Sequence, residues 1–125
     1  MPTDFLEHDR DLGEAQRQNF RKALKAGVKL AFGTDAGVCP YGIDARQFAY
    51  MVKYGMTPMQ AIQSATSSAS DLIGRSSEFG SIKPGRYADL IAVAGDPLQD
   101  VSLLENVQFV MKDGKIYKPG RDYRQ

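Results

Sequence analysis

The stretch FGTDAG at residues 32–37 contains the acidic side chain best placed to do chemistry, Asp35. The apolar run GVKLAF comes just before it and is short, bounded by glycines and typical of a buried strand. In α/β folds, ligands bind at the carboxyl ends of the strands. We therefore predict that Asp35 follows the end of a strand and faces whatever occupies that end.

From the residue types alone, this acid has two interpretations. It is either a catalytic carboxylate or an ordinary carboxylate that caps the next helix or orders a glycine-containing loop. Thr34 is a candidate to hold the same loop through a side-chain hydrogen bond. The residues by themselves leave both interpretations open.

The scarcity of histidine and cysteine limits the chemistry that the chain can perform. The sequence holds one histidine, His8, and one cysteine, Cys39. Most hydrolytic metal sites and most serine or cysteine nucleophile systems use histidine, and cysteine-cluster sites need several thiols. A complete site of any of these kinds is therefore not expected from these residues alone.

Charge and hydropathy argue against two classes of partner. Among 125 residues, 16 basic side chains balance 15 acidic ones, which does not favour a nucleic acid or an anionic membrane as the main partner. No apolar run approaches the roughly 20 residues that cross a bilayer. The N-terminal stretch MPTDFLEHDRD is acidic and polar, unlike a secretory leader, so we predict a cytoplasmic protein.

Helical patterns dominate the first half of the chain. Residues 1–11 are predicted to be a flexible N-terminal segment, and residues 12–26 a helix that ends at Gly27. After the predicted strand, apolar spacing from Ile43 predicts a second helix, and Thr57–Pro58 is a typical helix start. Residues 12–78 are therefore predicted to form a helix–strand–helix unit of α/β class.

The remaining part, residues 79–125, is predicted to be a β-rich tail. Two apolar runs flank Asp113–Gly114, a pair of residues that favours a type I′ hairpin turn because both positions need positive φ. Asp89 lies at the start of an earlier apolar run, ADLIAVA. We expect it to order the turn there or to pair with Arg86, a structural role in either case.

Four stretches in this order resemble the C-terminal part of the metal-dependent amidohydrolases. They are ALKAGVKLAFGTDAG, then ARQFAYMVKYGMTPMQAIQSATSSASDLIG, then GSIKPGRYADLIAVAGDPLQD, then VMKDGKIY. The branch they are most similar to includes the imidazolonepropionase-like enzymes and the Xaa-Pro dipeptidase and arginine carboxypeptidase type. Each stretch is moderate evidence alone, whereas four in the family's order and spacing are strong evidence.

The resemblance implies a (β/α)8 barrel that carries a small β-sandwich domain. Residues 28–33 would be the eighth barrel strand, 43–73 the closing helices, and 80–118 part of the β-sandwich. In the family, the aspartate after strand eight binds a divalent metal, most often zinc, and accepts the proton of the attacking water. By position this residue is Asp35. The resemblance also implies hydrolysis of a C–N bond in an amide, a cyclic amide or a peptide-like substrate.

The sequence departs from the family in lacking most of the site. The resemblance implies an HxH pair, a lysine or glutamate and further histidines on strands that this chain does not contain. Thr34, Gly37 and Tyr41 are candidates for a substrate loop, although relatives commonly have histidine where Tyr41 stands. We therefore predict a fragment of an amidohydrolase that is inactive and binds no metal alone.

Two alternatives to an inactive fragment remain. The chain could be completed by self-association or by pairing with the missing barrel segments, because a lone strand has two unpaired edges. It could also be a non-catalytic interaction module that keeps the fold elements.

Overall fold

A computed structural model describes the backbone of residues 3–35 and 42–120, with side chains from residue 13 onward. Four α-helices come first in these ranges, namely α1 (Thr3–Lys25), α2 (Arg46–Lys53), α3 (Pro58–Ala65) and α4 (Ser67–Leu72). They are followed by β1 (Leu90–Val93), a 3-10 helix (Val101–Glu105), β2 (Val107–Lys112) and β3 (Lys115–Lys118). The coarse prediction of an α/β chain with a β-rich tail is confirmed.

Helix α1 differs from its prediction at one end and agrees with it at the other. It begins at Thr3, so the prediction that residues 1–11 form a flexible segment is wrong from that residue on. The first residues of the helix are mostly polar, so the apolar periodicity that located the rest of α1 did not mark its beginning. At the other end Gly27 has φ 71°, and the N–H of Val28 donates to the carbonyl of Ala23. This is the glycine-terminated helix end that the sequence predicted.

Helix α3 begins at the predicted position, with Thr57 as its N-cap. Thr57 Oγ1 accepts a hydrogen bond from the N–H of Gln60 at 3.2 Å, and Gln60 Oε1 accepts one from the N–H of Thr57 at 2.9 Å. With Pro58 in the first turn, this reciprocal pair is a capping box that satisfies two helix-end donors.

A small core joins the helices. Met51, Met56 and Ala61 are buried at its centre. Half-buried apolar side chains pack around them from α1, α2 and the chain between these helices, namely Phe20, Leu30, Phe32 and Phe48, together with Leu24 and Val52. The second half of α1, together with α2 and α3, therefore contributes apolar side chains to one shared core.

The predicted buried strand at residues 28–33 is not a strand in the structure. No strand is formed there among the described residues, and Val28 is 51% exposed. An extended chain becomes part of a sheet only when a neighbour supplies ladder hydrogen bonds, and the described part of the chain offers none beside this segment. The prediction of burial is confirmed only in part: Leu30 and Phe32 pack on the core.

The sheet lies entirely in the predicted β-rich tail. It is antiparallel with the order β1-β2-β3, in which Leu90 pairs with Met111 and Met111 with Ile116. Asp113 and Gly114 join β2 to β3 with φ values of 48° and 75°. Both values are positive, as the type I′ prediction required.

Asp89 has a structural role, but not with the predicted partner. Its Oδ2 lies 2.8 Å from Lys112 Nζ, and its Oδ1 accepts a hydrogen bond from the N–H of Asp113 at 2.7 Å. Arg86 instead donates to the carbonyls of Ser76 and Phe79. Asp89 thus ties the start of β1 to the β2–β3 turn, a contact between residues more than 20 positions apart that sequence spacing does not predict.

Candidate functional site

The chain from residue 28 to residue 35 runs along the edge of the helical core and leads to Asp35. Leu30 and Phe32 are half-buried against the core, whereas Lys29, Ala31 and Gly33 between and beside them are exposed. Such alternation is the side-chain pattern of an extended chain with one covered face. The segment is therefore shaped like a strand even though nothing pairs with it in the described residues.

Phe32 fixes this segment to two helices. Its N–H donates to the carbonyl of Ser64 in α3 at 2.9 Å. Its ring stacks on that of Phe48 in α2, with ring centroids 5.0 Å apart and planes inclined by 8°. Ser64 is itself 1% exposed and donates from Oγ to the carbonyl of Ala61 at 2.6 Å. Phe48 and Ser64 therefore hold the chain three residues before Asp35, a role that sequence reasoning missed because these contacts join separate elements.

Asp35 is exposed and adopts a backbone conformation that few residues favour. Its φ is 49°, in the left-handed region, where aspartate and asparagine are found more often than other non-glycine residues. Thr34 beside it is also exposed. Within the described residues, neither side chain forms a hydrogen bond, so the predicted loop contact of Thr34 is not seen there. Gly37 and Tyr41 lie outside the described residues.

The described side chains do not fit a catalytic divalent ion. Among side chains 13–35 and 42–120, no group of three or more histidine, cysteine, aspartate or glutamate residues is close enough to hold a metal. Catalytic zinc takes about three protein ligands, and Asp35 supplies one carboxylate. The side chain of His8, in α1, and residue Cys39 are outside the described set. Asp35 could therefore bind a catalytic metal only together with ligands that the described side chains do not supply.

No helix in the described ranges has both the length and the apolar character that crossing a bilayer requires.

Comparison with known proteins shows which family this chain resembles. The sequence model of the amidohydrolase family matches residues 6–117. Ochratoxinase from Aspergillus niger is 36% identical over 115 residues, which cover 87% of this chain and 24% of the relative. Imidazolonepropionase from Geobacillus kaustophilus is 29% identical over 110 residues, covering 78% of this chain and 26% of the relative.

A solved structure agrees with the sequence relatives. A Xaa-Pro dipeptidase crystal structure is 52% identical, with a TM-score of 0.79 over 82% of this chain and 25% of the other. The resemblance expected from the four sequence stretches is therefore confirmed. The chain spans about a quarter of the length of the relatives it matches.

Proposed function

Because the chain belongs to the amidohydrolase family, we propose that it is the part of a C–N bond hydrolase that carries the proton-accepting carboxylate Asp35. The supporting observation is that the chain segment leading to Asp35 is held in place at Phe32. Phe32 is held by a backbone hydrogen bond and a ring stack, and the exposed Asp35 follows three residues later. A general base needs this kind of positioning, because proton transfer requires hydrogen-bond reach to the attacking water.

The bond we propose is a peptide-like amide. The solved structure with 52% identity is of a Xaa-Pro dipeptidase, and the sequence relatives include an ochratoxinase and an imidazolonepropionase. A cyclic amide is the second candidate substrate. In either reaction the Asp35 carboxylate would take a proton from water as it attacks the carbonyl carbon, then transfer that proton to the leaving amine.

We further propose that the reaction needs polypeptide beyond these residues. The chain spans about a quarter of its relatives, and its described side chains do not fit a metal. The segment at residues 28–33 is the proposed eighth strand of a (β/α)8 barrel. Its unpaired edges are where neighbouring strands would add. Zinc is the proposed metal of the assembled enzyme, with Asp35 as one of its ligands.

The decisive experiment grafts this chain into a complete enzyme. The corresponding quarter of the Xaa-Pro dipeptidase is replaced by this chain, and hydrolysis of an Xaa-Pro dipeptide is measured with and without the change Asp35→Asn. We expect an active chimera whose kcat falls about 10²- to 10⁴-fold in the variant, the range of a lost general base. Asp71→Asn, at an exposed position on α4, is the matched control and should leave kcat unchanged.

A folded chimera whose kcat does not change on Asp35→Asn would refute the role of the carboxylate. The unmodified chain should show no Asp35-dependent hydrolysis by itself at stoichiometric zinc. If the isolated chain does hydrolyse the dipeptide, light scattering separates completion by self-association from activity in a monomer. A non-catalytic module, the remaining alternative, predicts a chimera that folds cooperatively but does not hydrolyse the dipeptide.

A further inference from the structure

A second candidate site lies in a groove between α1 and α2. The cavity volume is about 340 Å³, within the size range of small-molecule sites. Its lining includes Phe20, which is half-buried, and Met51, which is buried, so the bottom of the groove is apolar. Tyr50 and Tyr54 contribute aromatic rings to the lining. The groove is lined by α1 and α2 and not by the segment that leads to Asp35.

Gly13, in the middle of α1, leaves space for the Arg17 side chain at this groove. Glycine inside a helix lowers helix stability relative to alanine, so Gly13 has a cost that calls for a packing reason. A Cβ at this position would lie 3.2 Å from Nη1 of Arg17, closer than normal contact. The absence of a side chain thus makes room for the Arg17 guanidinium over the helix backbone.

Arg17 is also oriented by an acid on the same helix. Its Nε and Nη2 donate to Oε2 of Glu14 at 3.2 and 2.9 Å. The third nitrogen, Nη1, lies beside Gly13, and both residues line the groove. A guanidinium held in this way presents a fixed donor, which suits a carboxylate better than a freely rotating cation does.

Three cations surround the ring of Tyr54. Arg17 Cζ lies 5.8 Å from the ring centroid, Arg21 Cζ 5.3 Å and Lys53 Nζ 5.7 Å. Each is within the range of a cation–π contact, but the three like charges repel one another. The pair of Lys115 and Tyr117 in β3 has a similar distance, 5.3 Å, with one cation near the ring among the described residues. Glu14 already offsets the charge of Arg17, and an anion bound beside Tyr54 would offset the charges of Arg21 and Lys53.

We propose that this groove binds a small aromatic carboxylate. The ring of the ligand would lie on the apolar bottom between the tyrosines, and its carboxylate would accept hydrogen bonds from Arg17. The side-chain amides of Gln16 and Gln47 also line the groove and supply further donors. This combination of an apolar bottom with a few convergent polar groups is typical of ligand sites.

The test is a titration of the full chain, labelled for NMR, with benzoate and with its neutral isostere benzamide. We expect saturable shifts of the Arg17 Nε–H and Tyr54 ring signals with benzoate. Benzamide should bind at least about tenfold more weakly, because its neutral carbonyl cannot form an ion pair with the Arg17 guanidinium. Arg17→Gln should weaken benzoate about tenfold, whereas the matched change Lys115→Gln should not alter its affinity.

Several outcomes would overturn the proposal. The first is shifts that do not saturate, and the second is equal affinities for benzoate and benzamide. The third is benzoate-induced shifts of the Lys115 and Tyr117 signals as large as those of Arg17 and Tyr54. If Arg17→Gln does not fold, as judged by its melting curve, the comparison of the two ligands on the unmodified chain decides alone.

Discussion

The rings of Phe32 and Phe48 stack with their centroids 5.0 Å apart and their planes inclined by only 8°. This contact joins the extended segment before Asp35 to helix α2. Both side chains are half-buried at the edge of the core formed by Met51, Met56 and Ala61. The stack therefore contributes to the stability of the chain and to the position of Asp35.

Replacing Phe48 with alanine should lower the free energy of unfolding by about 2 kcal/mol. A fully buried phenylalanine costs about 3–5 kcal/mol on the same change, and Phe48 is only partly buried. Urea unfolding measures the loss, and hydrogen exchange should become faster at the Phe32 amide. Tyr117→Ala, at a side chain that is 63% exposed, is the control and should change stability by no more than about 0.5 kcal/mol. Equal losses in the two variants would contradict the role of the stack.

The hairpin turn should depend on the conformation of Gly114. Its φ of 75° strains any residue with a Cβ, so Gly114→Ala should destabilise the chain by about 1 kcal/mol. Gly33→Ala is the matched control, because a Cβ at either glycine meets nothing within 4 Å and only Gly114 has positive φ. Thermal unfolding of both variants compares them. If Gly33→Ala is as harmful as Gly114→Ala, backbone strain is not the cause.

The contact of Asp89 with Lys112 should make stability depend on acid pH. The hydrogen bond from Lys112, followed by that from the N–H of Asp113, holds the pKa of Asp89 below its ordinary value of 3.8. Because the pKa is lower in the folded chain than in the unfolded one, this contribution is fully present above the unfolded value. It is lost as the pH falls from about 3.8 through the lower folded pKa.

The variant Asp89→Asn tests this dependence. Asparagine can still accept from the Asp113 N–H through Oδ1 but has no charge for Lys112 to pair with. Urea midpoints at about pH 6 and about pH 2.5 should therefore differ less in this variant than in the unmodified chain. Asp71→Asn serves as the control for removing an exposed carboxylate, and it should leave the pH dependence nearly unchanged. If the pH dependence of stability is the same in Asp89→Asn as in the unmodified chain, the Asp89–Lys112 contact is not its cause.

Local signals predicted most of the elements. Gly27 ends α1, Thr57 caps α3, and Asp113–Gly114 turns the hairpin, because each effect depends on residues within a few positions of one another. The start of α1 was missed because no single capping residue marks it clearly. The pairing of Asp89 was missed because its partner is 23 positions away.

The sequence by itself determined the helix end at Gly27, the cap of α3 and the hairpin turn, since these depend on residue types at short spacing. It also indicated the family, through four stretches in order, and the family resemblance made Asp35 the candidate base. The tertiary structure decided that residues 28–33 pair with no strand among the described residues, that Phe32 is fixed through Phe48 and Ser64, and that Arg17 lines a groove beside Tyr54. These depend on which distant segments meet, and a strand or a metal site exists only when its partners are close in space.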